Sequence, residues 1–189
     1  DFVTALVAQS ILKEDPGQKI LYDLRSSNVV REIVKAFGGV PLMSRVGHAF
    51  IKERMRRENA VFAGEFSGHY YHRDHYFCEA PLMVLFALVR EISQQKKSLS
   101  QLVKPLQVYF HSGELNFEVK DKEGILKRLE TKYKDGEVSH LDGLRVDFED
   151  WWFNARPSNT EPVLRLVVEA RTPKMMEQKK KELSEIIST

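Results

Sequence analysis

One feature constrains this chain more than any other: up to about residue 97, short apolar runs alternate with longer stretches of helical period. Phe2, Val3, Leu6, Val7, Ile11 and Leu12 line one face of a helix that Asp15-Pro16-Gly17 ends. Residues 19–24 (KILYDL) read as a strand. Val29, Val30, Ile33, Val34 and Phe37 then repeat with helical period and run into Gly38-Gly39, residues that a helix C-terminus prefers. A second strand is expected at 40–45, a charged amphipathic helix from Gly47-His48 to about Asn59, and a short apolar strand at 60–63. Strands and helices in alternation predict α/β layering with mostly parallel strands. The longest apolar run, residues 80–89, is shorter than the about 20 residues a bilayer crossing needs and reads as a buried helix.

Between 93 and 105 the chain turns polar (SQQKKSLSQLVKP), lacks aromatic residues and closes on a proline, as linkers between domains do. This predicts two domains, 1–97 and 98–189. In the second, strands are expected at 106–111, 114–119, 144–148, 151–155 and 163–169. One helix carries Ile125, Leu126, Leu129 and Tyr133, and a final one shows an apolar seam of Met176, Leu183 and Ile187 amid Lys and Glu, an α+β pattern. A chain of 189 residues, 42% hydrophobic, can bury a core in each. Lys+Arg 29 against Asp+Glu 27 leaves +2, too little for the basic field that holds nucleic acid non-specifically, so any anion must be gripped locally. Cys78 has no intramolecular disulfide partner, and the N-terminus lacks a signal-peptide pattern, so a cytoplasmic protein is expected. The first residue is Asp1 with a helical pattern already under way, which suggests a fragment cut at a domain boundary.

Two loops carry chemistry. GEFSGH (64–69) interrupts apolar stretches with two glycines and three polar side chains; Glu65 and Ser67, two apart in an extended segment, would point to one side and could grip vicinal hydroxyls of a sugar. The same residues also suit a hairpin with a solvated Glu and Ser. Within NARPSNTEP (154–162), the five residues from Arg156 to Thr160 pack an arginine, two hydroxyls and an amide between two strands, enough donors to wrap a phosphate. A turn rich in side-chain-to-backbone bonds explains Ser158 and Asn159 equally well but not Arg156. His69, His72 and His75 flank Asp74 without the paired-ligand spacing of structural zinc, and no metal site is expected. Arg45 and His48 put two basic groups at a strand-to-helix turn, where helix N–H groups attract anions, although His48 could simply cap the helix.

Taken together, GEFSGH and RPSNTEP with its following LRL resemble the sugar-binding and phosphate-binding loops of the α-D-phosphohexomutases. The resemblance extends to YDLRSS at 22–27, SRVGHAFIK at 44–52 and LDGLRVDF at 141–148, and so covers essentially the whole chain. It implies domains three and four of four: a three-layer α/β domain with a mixed sheet, then an α+β domain with a mostly antiparallel sheet packed against helices. It also implies that Glu65 and Ser67 bind sugar hydroxyls, that Arg156, Ser158, Asn159 and Thr160 hold the phosphate not being transferred, and that His48, Arg45 and Arg25 line the reacting end. The family's phosphoserine and its Asp-Gly-Asp-x-Asp-Arg Mg²⁺ loop belong to domains one and two, and neither motif occurs here. The implied reaction interconverts hexose 1- and 6-phosphates through a 1,6-bisphosphate, with small hexose phosphates and upstream domains as partners and neither nucleic acid nor membrane. Phe66 is nearest the Met-type loop of enzymes that take both glucose and mannose, whereas His72 stands where an aromatic is usual. The other reading is a sugar-phosphate-binding module without catalysis.

Overall fold

The protein is described by a computed structural model over residues 1–158 and 161–188. The chain opens with α1 (Phe2–Glu14), then β1 (Lys19–Asp23), α2 (Asn28–Ala36), β2 (Val40–Ser44), α3 (His48–Glu58), β3 (Phe62–Gly64), β4 (Tyr70–His72), β5 (Cys78–Glu79) and α4 (Pro81–Gln95). The strands form one sheet in the order β2-β1-β3-β4-β5. β1 runs parallel to both β2 and β3, while β4 runs antiparallel to β3 and β5 antiparallel to β4. The sheet is therefore mixed. Residues 65–69 are too few for a parallel crossover, which needs about a dozen, so β3 can only turn back on itself.

Helices cover both faces, making three layers. Val7, Ala8 and Leu12 of α1, Val34 of α2 and Val84 of α4 pack with Ile20, Val61 and Phe62 on one side. Ile51 and Met55 of α3 pack with Leu21, Ala60, Ala63 and Tyr71 on the other. Gly64 is required by the first of these contacts: a Cβ there would stand 2.4 Å from Thr4 Oγ1, so its bare backbone lets α1 lie against β3.

Two expectations for this region are corrected. The apolar run 80–89 forms most of α4, but it is not buried: Val84 reaches the core, whereas Leu82 is 65% and Phe86 68% exposed. An outer-layer helix covers its neighbours with one face only, here α1, β4 and the next helix, α5 (Leu99–Val103). The stretch 93–105, expected as a linker between domains, carries secondary structure of its own. Ser98 caps α5, accepting from Gln101 N while Gln101 Oε1 accepts from Ser98 N, and a 3₁₀ turn over Lys104–Leu106 follows. Leu102 and Leu106 are buried. The chain accordingly divides into Asp1–Val108 and Tyr109–Thr189, later than residue 97.

The second unit holds β6 (Phe110–Glu118), α6 (Lys122–Lys132), β7 (Glu137–Ser139), β8 (Leu144–Asp147), β9 (Trp151–Pro157), β10 (Val163–Ala170) and α7 (Pro173–Ser188). Its sheet, ordered β6-β10-β9-β8-β7, is antiparallel at every pairing. The two strands expected at 106–111 and 114–119 are one, because a register shift against Val167 and Glu169 lets β6 bend and continue. One face carries Leu144, Val146, Phe153, Ala155, Leu164, Leu166 and Val168, packed on Ile125 and Leu129 of α6 and Leu183 and Ile187 of α7. Strand alternation sends Arg145, Trp152, Asn154, Arg156, Arg165 and Glu169 to the other face. No helix among the described residues is long and apolar enough to cross a membrane.

Candidate functional site

In the first unit the candidate residues follow the carboxyl ends of the three parallel strands. Asp23, Ser44 and Gly64 end β1, β2 and β3, with Asp23 registered to Ser44 and Tyr22 to Gly64; Arg45 and Glu65 come next in the chain, and Arg25 lies two residues after Asp23. The chain leaves β1 for β2 on one side and returns to β3 on the other, and this end of such a switch point is where open α/β sheets place ligands. Arg25 is buried and engaged: its Nη2 lies 2.8 Å from Asp23 Oδ2, and its backbone N–H donates to Asp23 Oδ1 at 2.8 Å. Asp23 Oδ2 also accepts from Phe66 N at 2.9 Å, which ties the GEFSGH turn to the end of β1.

Glu65 is 4% exposed. Tyr71 Oη donates to its Oε1 at 2.6 Å, Gly47 N to its Oε2 at 3.3 Å, and Arg25 Nη2 stands 4.0 Å from that same oxygen. Burial and the Glu65 bond both push the Tyr71 phenol well above the ordinary tyrosine range, so it stays a donor. A carboxylate has about four acceptor positions, and these bonds leave room for hydroxyl donors. The extended conformation expected for 65–67 is not found. Gly68 N bonds to Glu65 O at 3.0 Å, closing a turn that leaves Ser67 exposed with its Oγ 3.0 Å from His69 Nδ1. The hairpin reading is right for the backbone, and the solvated-Glu part of it is overturned by the burial of Glu65. Arg45 and His48 are exposed; Arg45 stacks on Phe50 at 4.2 Å, and His48 Nδ1 is 3.8 Å from Glu79 Oε1.

In the second unit Arg156 stands on β9 itself, not in the loop that follows. Its side chain is 8% exposed, with Nη2 3.6 Å from Glu114 Oε2 and Nε 4.0 Å from Asp142 Oδ2. The Nε is buried and makes no hydrogen bond among the described residues. The backbone of Gly143 lies close beside it, since a Cβ there would meet Ala155 O at 2.5 Å and Arg156 Cα at 2.8 Å; its φ of +72° is one that only glycine adopts readily. Ser158 closes the loop, its N bonding to Val163 O at 2.9 Å and its Oγ accepting from Glu161 N at 3.3 Å, the side-chain-to-backbone bond of the turn reading. Asn159 and Thr160 lie outside the described residues.

Residues 1–109 match the family described as phosphoglucomutase/phosphomannomutase, alpha/beta/alpha domain III, and residues 114–186 match its C-terminal domain. The chain belongs to this family. The phosphomannomutase of Methanocaldococcus jannaschii is 44% identical over 188 residues, 100% of this chain and 42% of that protein. A phosphomannomutase of Vibrio cholerae is 40% identical, over 98% of this chain and 41% of its own length. A solved phosphoglucomutase/phosphomannomutase family protein from Burkholderia thailandensis superposes with a TM-score of 0.84 at 32% identity, over 98% of this chain and 40% of that one. The chain thus spans less than half the length of the relatives it matches.

Within this phosphohexomutase chain, sequence reasoning overlooked Asp23 and Tyr71, which fix Arg25 and Glu65, and Glu114, Asp142 and Arg165, which surround Arg156. Only Arg165 left a signal: in VLRL it alternates with core residues on the strand following the loop. His72 belongs to a different place, a groove of about 370 Å³ with Val7, Met83 and Phe86, where burial lowers its pKa. No three His, Cys, Asp or Glu side chains among the described residues come together as a metal site.

Proposed function

We propose that this chain is the substrate-binding half of a phosphohexomutase that interconverts hexose 1-phosphate and hexose 6-phosphate, of glucose, mannose or both. The observation that carries the reading is the Glu65 carboxylate, held by Tyr71 and Gly47 N at the carboxyl end of β3, where a sheet of this topology receives ligands. Glu65 and Ser67 accept from sugar hydroxyls. Arg156 with Ser158, Asn159 and Thr160 holds the phosphate that is not transferred, and Arg25, Arg45 and His48 supply positive charge and a proton donor at the reacting end. The identity to proteins named phosphomannomutase supports this assignment.

Phosphoryl transfer depends on positioning and charge stabilisation more than on covalent work by the protein. A pocket serving a 1,6-bisphosphate must accept the sugar in two orientations. A fixed arginine for the distal phosphate and a carboxylate recognising hydroxyls of either presentation meet that need. By the family resemblance, Mg²⁺ and the phosphoserine are assigned to domains one and two of the whole protein. The experiment is a steady-state assay of the full-length polypeptide with glucose 1-phosphate and mannose 1-phosphate. Glu65→Ala should cut kcat/KM for both sugars by at least about tenfold, the worth of a charge-assisted hydrogen bond. Unchanged kinetics would remove Glu65 from the site.

A further inference from the structure

We propose that Glu114 is a positioning residue for Arg156: its carboxylate bridges Arg156 and Arg165 and holds the Arg156 guanidinium in the orientation that receives a phosphate. The inference rests on the assignment of Arg156 as a phosphate ligand.

The topology creates the problem that Glu114 solves. Arg156 and Arg165 are registered directly opposite each other on β9 and β10, so two guanidiniums share one face of the sheet. Like charges placed opposite in a sheet repel and would splay apart. Glu114 is registered to Val167, two positions along β10 from Arg165, and strand alternation puts it on that same face. Its Oε1 lies 3.1 Å from Arg165 Nη1 and its Oε2 3.6 Å from Arg156 Nη2. Arg165 is gripped again from the loop side by Glu161, Nη2 to Oε2 at 2.5 Å. Asp142 stands 4.0 Å from Arg156 Nε. Arg165 is therefore bound at both ends. Arg156 is flanked by Glu114 and Asp142 at longer range, and the Nε of both arginines is buried with no hydrogen bond among the described residues.

Two effects of Glu114 oppose each other. Its negative charge disfavours an anion near Arg156. Its grip removes the rotamer freedom that a long arginine would otherwise lose on binding, and prevents the two guanidiniums from moving apart. The proposal is that the grip outweighs the charge. The pair of variants Glu114→Gln and Glu114→Asp separates the two effects: the first removes the charge, while the second keeps it on a side chain one methylene shorter that cannot span both arginines.

The test is calorimetric titration of the protein and both variants with glucose 6-phosphate, alongside NMR spectra of the arginine Nε–Hε groups and thermal melts. The wild type should show its Arg156 Nε–Hε signal move on titration. Both variants should bind about tenfold more weakly, the lower end of what a charge-assisted hydrogen bond contributes, with melts like the wild type. If Glu114→Gln loses its folded melt, Glu114→Asp decides alone. A variant that folds and binds as tightly as wild type, or more tightly, overturns the positioning role and leaves Arg156 as a phosphate ligand. A wild-type Arg156 signal that stays still at saturating glucose 6-phosphate overturns the phosphate assignment itself, and the positioning role with it.

Discussion

If Arg156 holds the phosphate, as proposed, its loss should be costly. Replacing it with alanine in the full-length polypeptide should cost about 1.5–3 kcal/mol of phosphate binding, or about 10- to 150-fold in affinity. The cost also includes leaving Glu114 and Asp142 without their shared cation. A KM for hexose phosphate that does not change would exclude Arg156 from the site. RPSNTEP made Arg156 visible in the sequence because a turn built on side-chain-to-backbone bonds explains Ser158 and Asn159 but not an arginine. Its carboxylate neighbours were not visible. Glu114 lies on another strand and Asp142 before another, so their approach depends on cross-strand register, which no local pattern encodes. Glu65 was legible as a loop carboxylate, but its burial was not, because that depends on Tyr71 arriving from the paired strand.

At the level of elements, helical period located α1 and α2 within a residue or two, since apolar residues recur at that period and a Gly or Pro stop follows, although α1 is covered on most sides, with Thr4 to Ala8 all buried. The same reasoning failed for α4, where composition records how apolar a helix is but not how many of its faces are covered. It failed for α5 because a short helix with a single buried leucine, Leu102, resembles a polar linker. The contact between α1 and β3 yields a stability prediction. Gly64→Ala places a Cβ 2.4 Å from the oxygen of a fully buried Thr4, and should destabilise the first unit by about 1–3 kcal/mol, the usual cost of overpacking. Denaturant melts showing no loss would mean α1 can shift freely.

The contact between α1 and α4 yields another. Glu91 of α4 is buried, and burial by itself raises a carboxyl pKa. Ser10 and Gln95, each donating at 2.7 Å, together with Lys13 and Arg90, reverse this and hold the carboxyl below its ordinary value. A depressed folded pKa contributes stability above the unfolded value of about 4.3, lost as pH falls through the folded pKa. Wild type should therefore melt higher than Glu91→Gln at neutral pH, with the gap closing as pH falls below the ordinary carboxyl range. A gap independent of pH would mean that the hydrogen bonds, not the charge, hold α4 to α1.

For the whole molecule, we propose that each unit contributes groups that bind a hexose phosphate while the phosphoserine and Mg²⁺ belong to other domains. The 189-residue chain should accordingly show no mutase turnover with glucose 1-phosphate or mannose 1-phosphate in a coupled assay freed of host enzyme. The most direct test is whether the chain binds its ligand through both loops. Backbone amide NMR spectra recorded during titration with glucose 1-phosphate should show perturbations at residues 156–160, with smaller ones at Glu65 and Ser67. Spectra in which saturating ligand leaves the 156–160 loop unmoved would contradict the account.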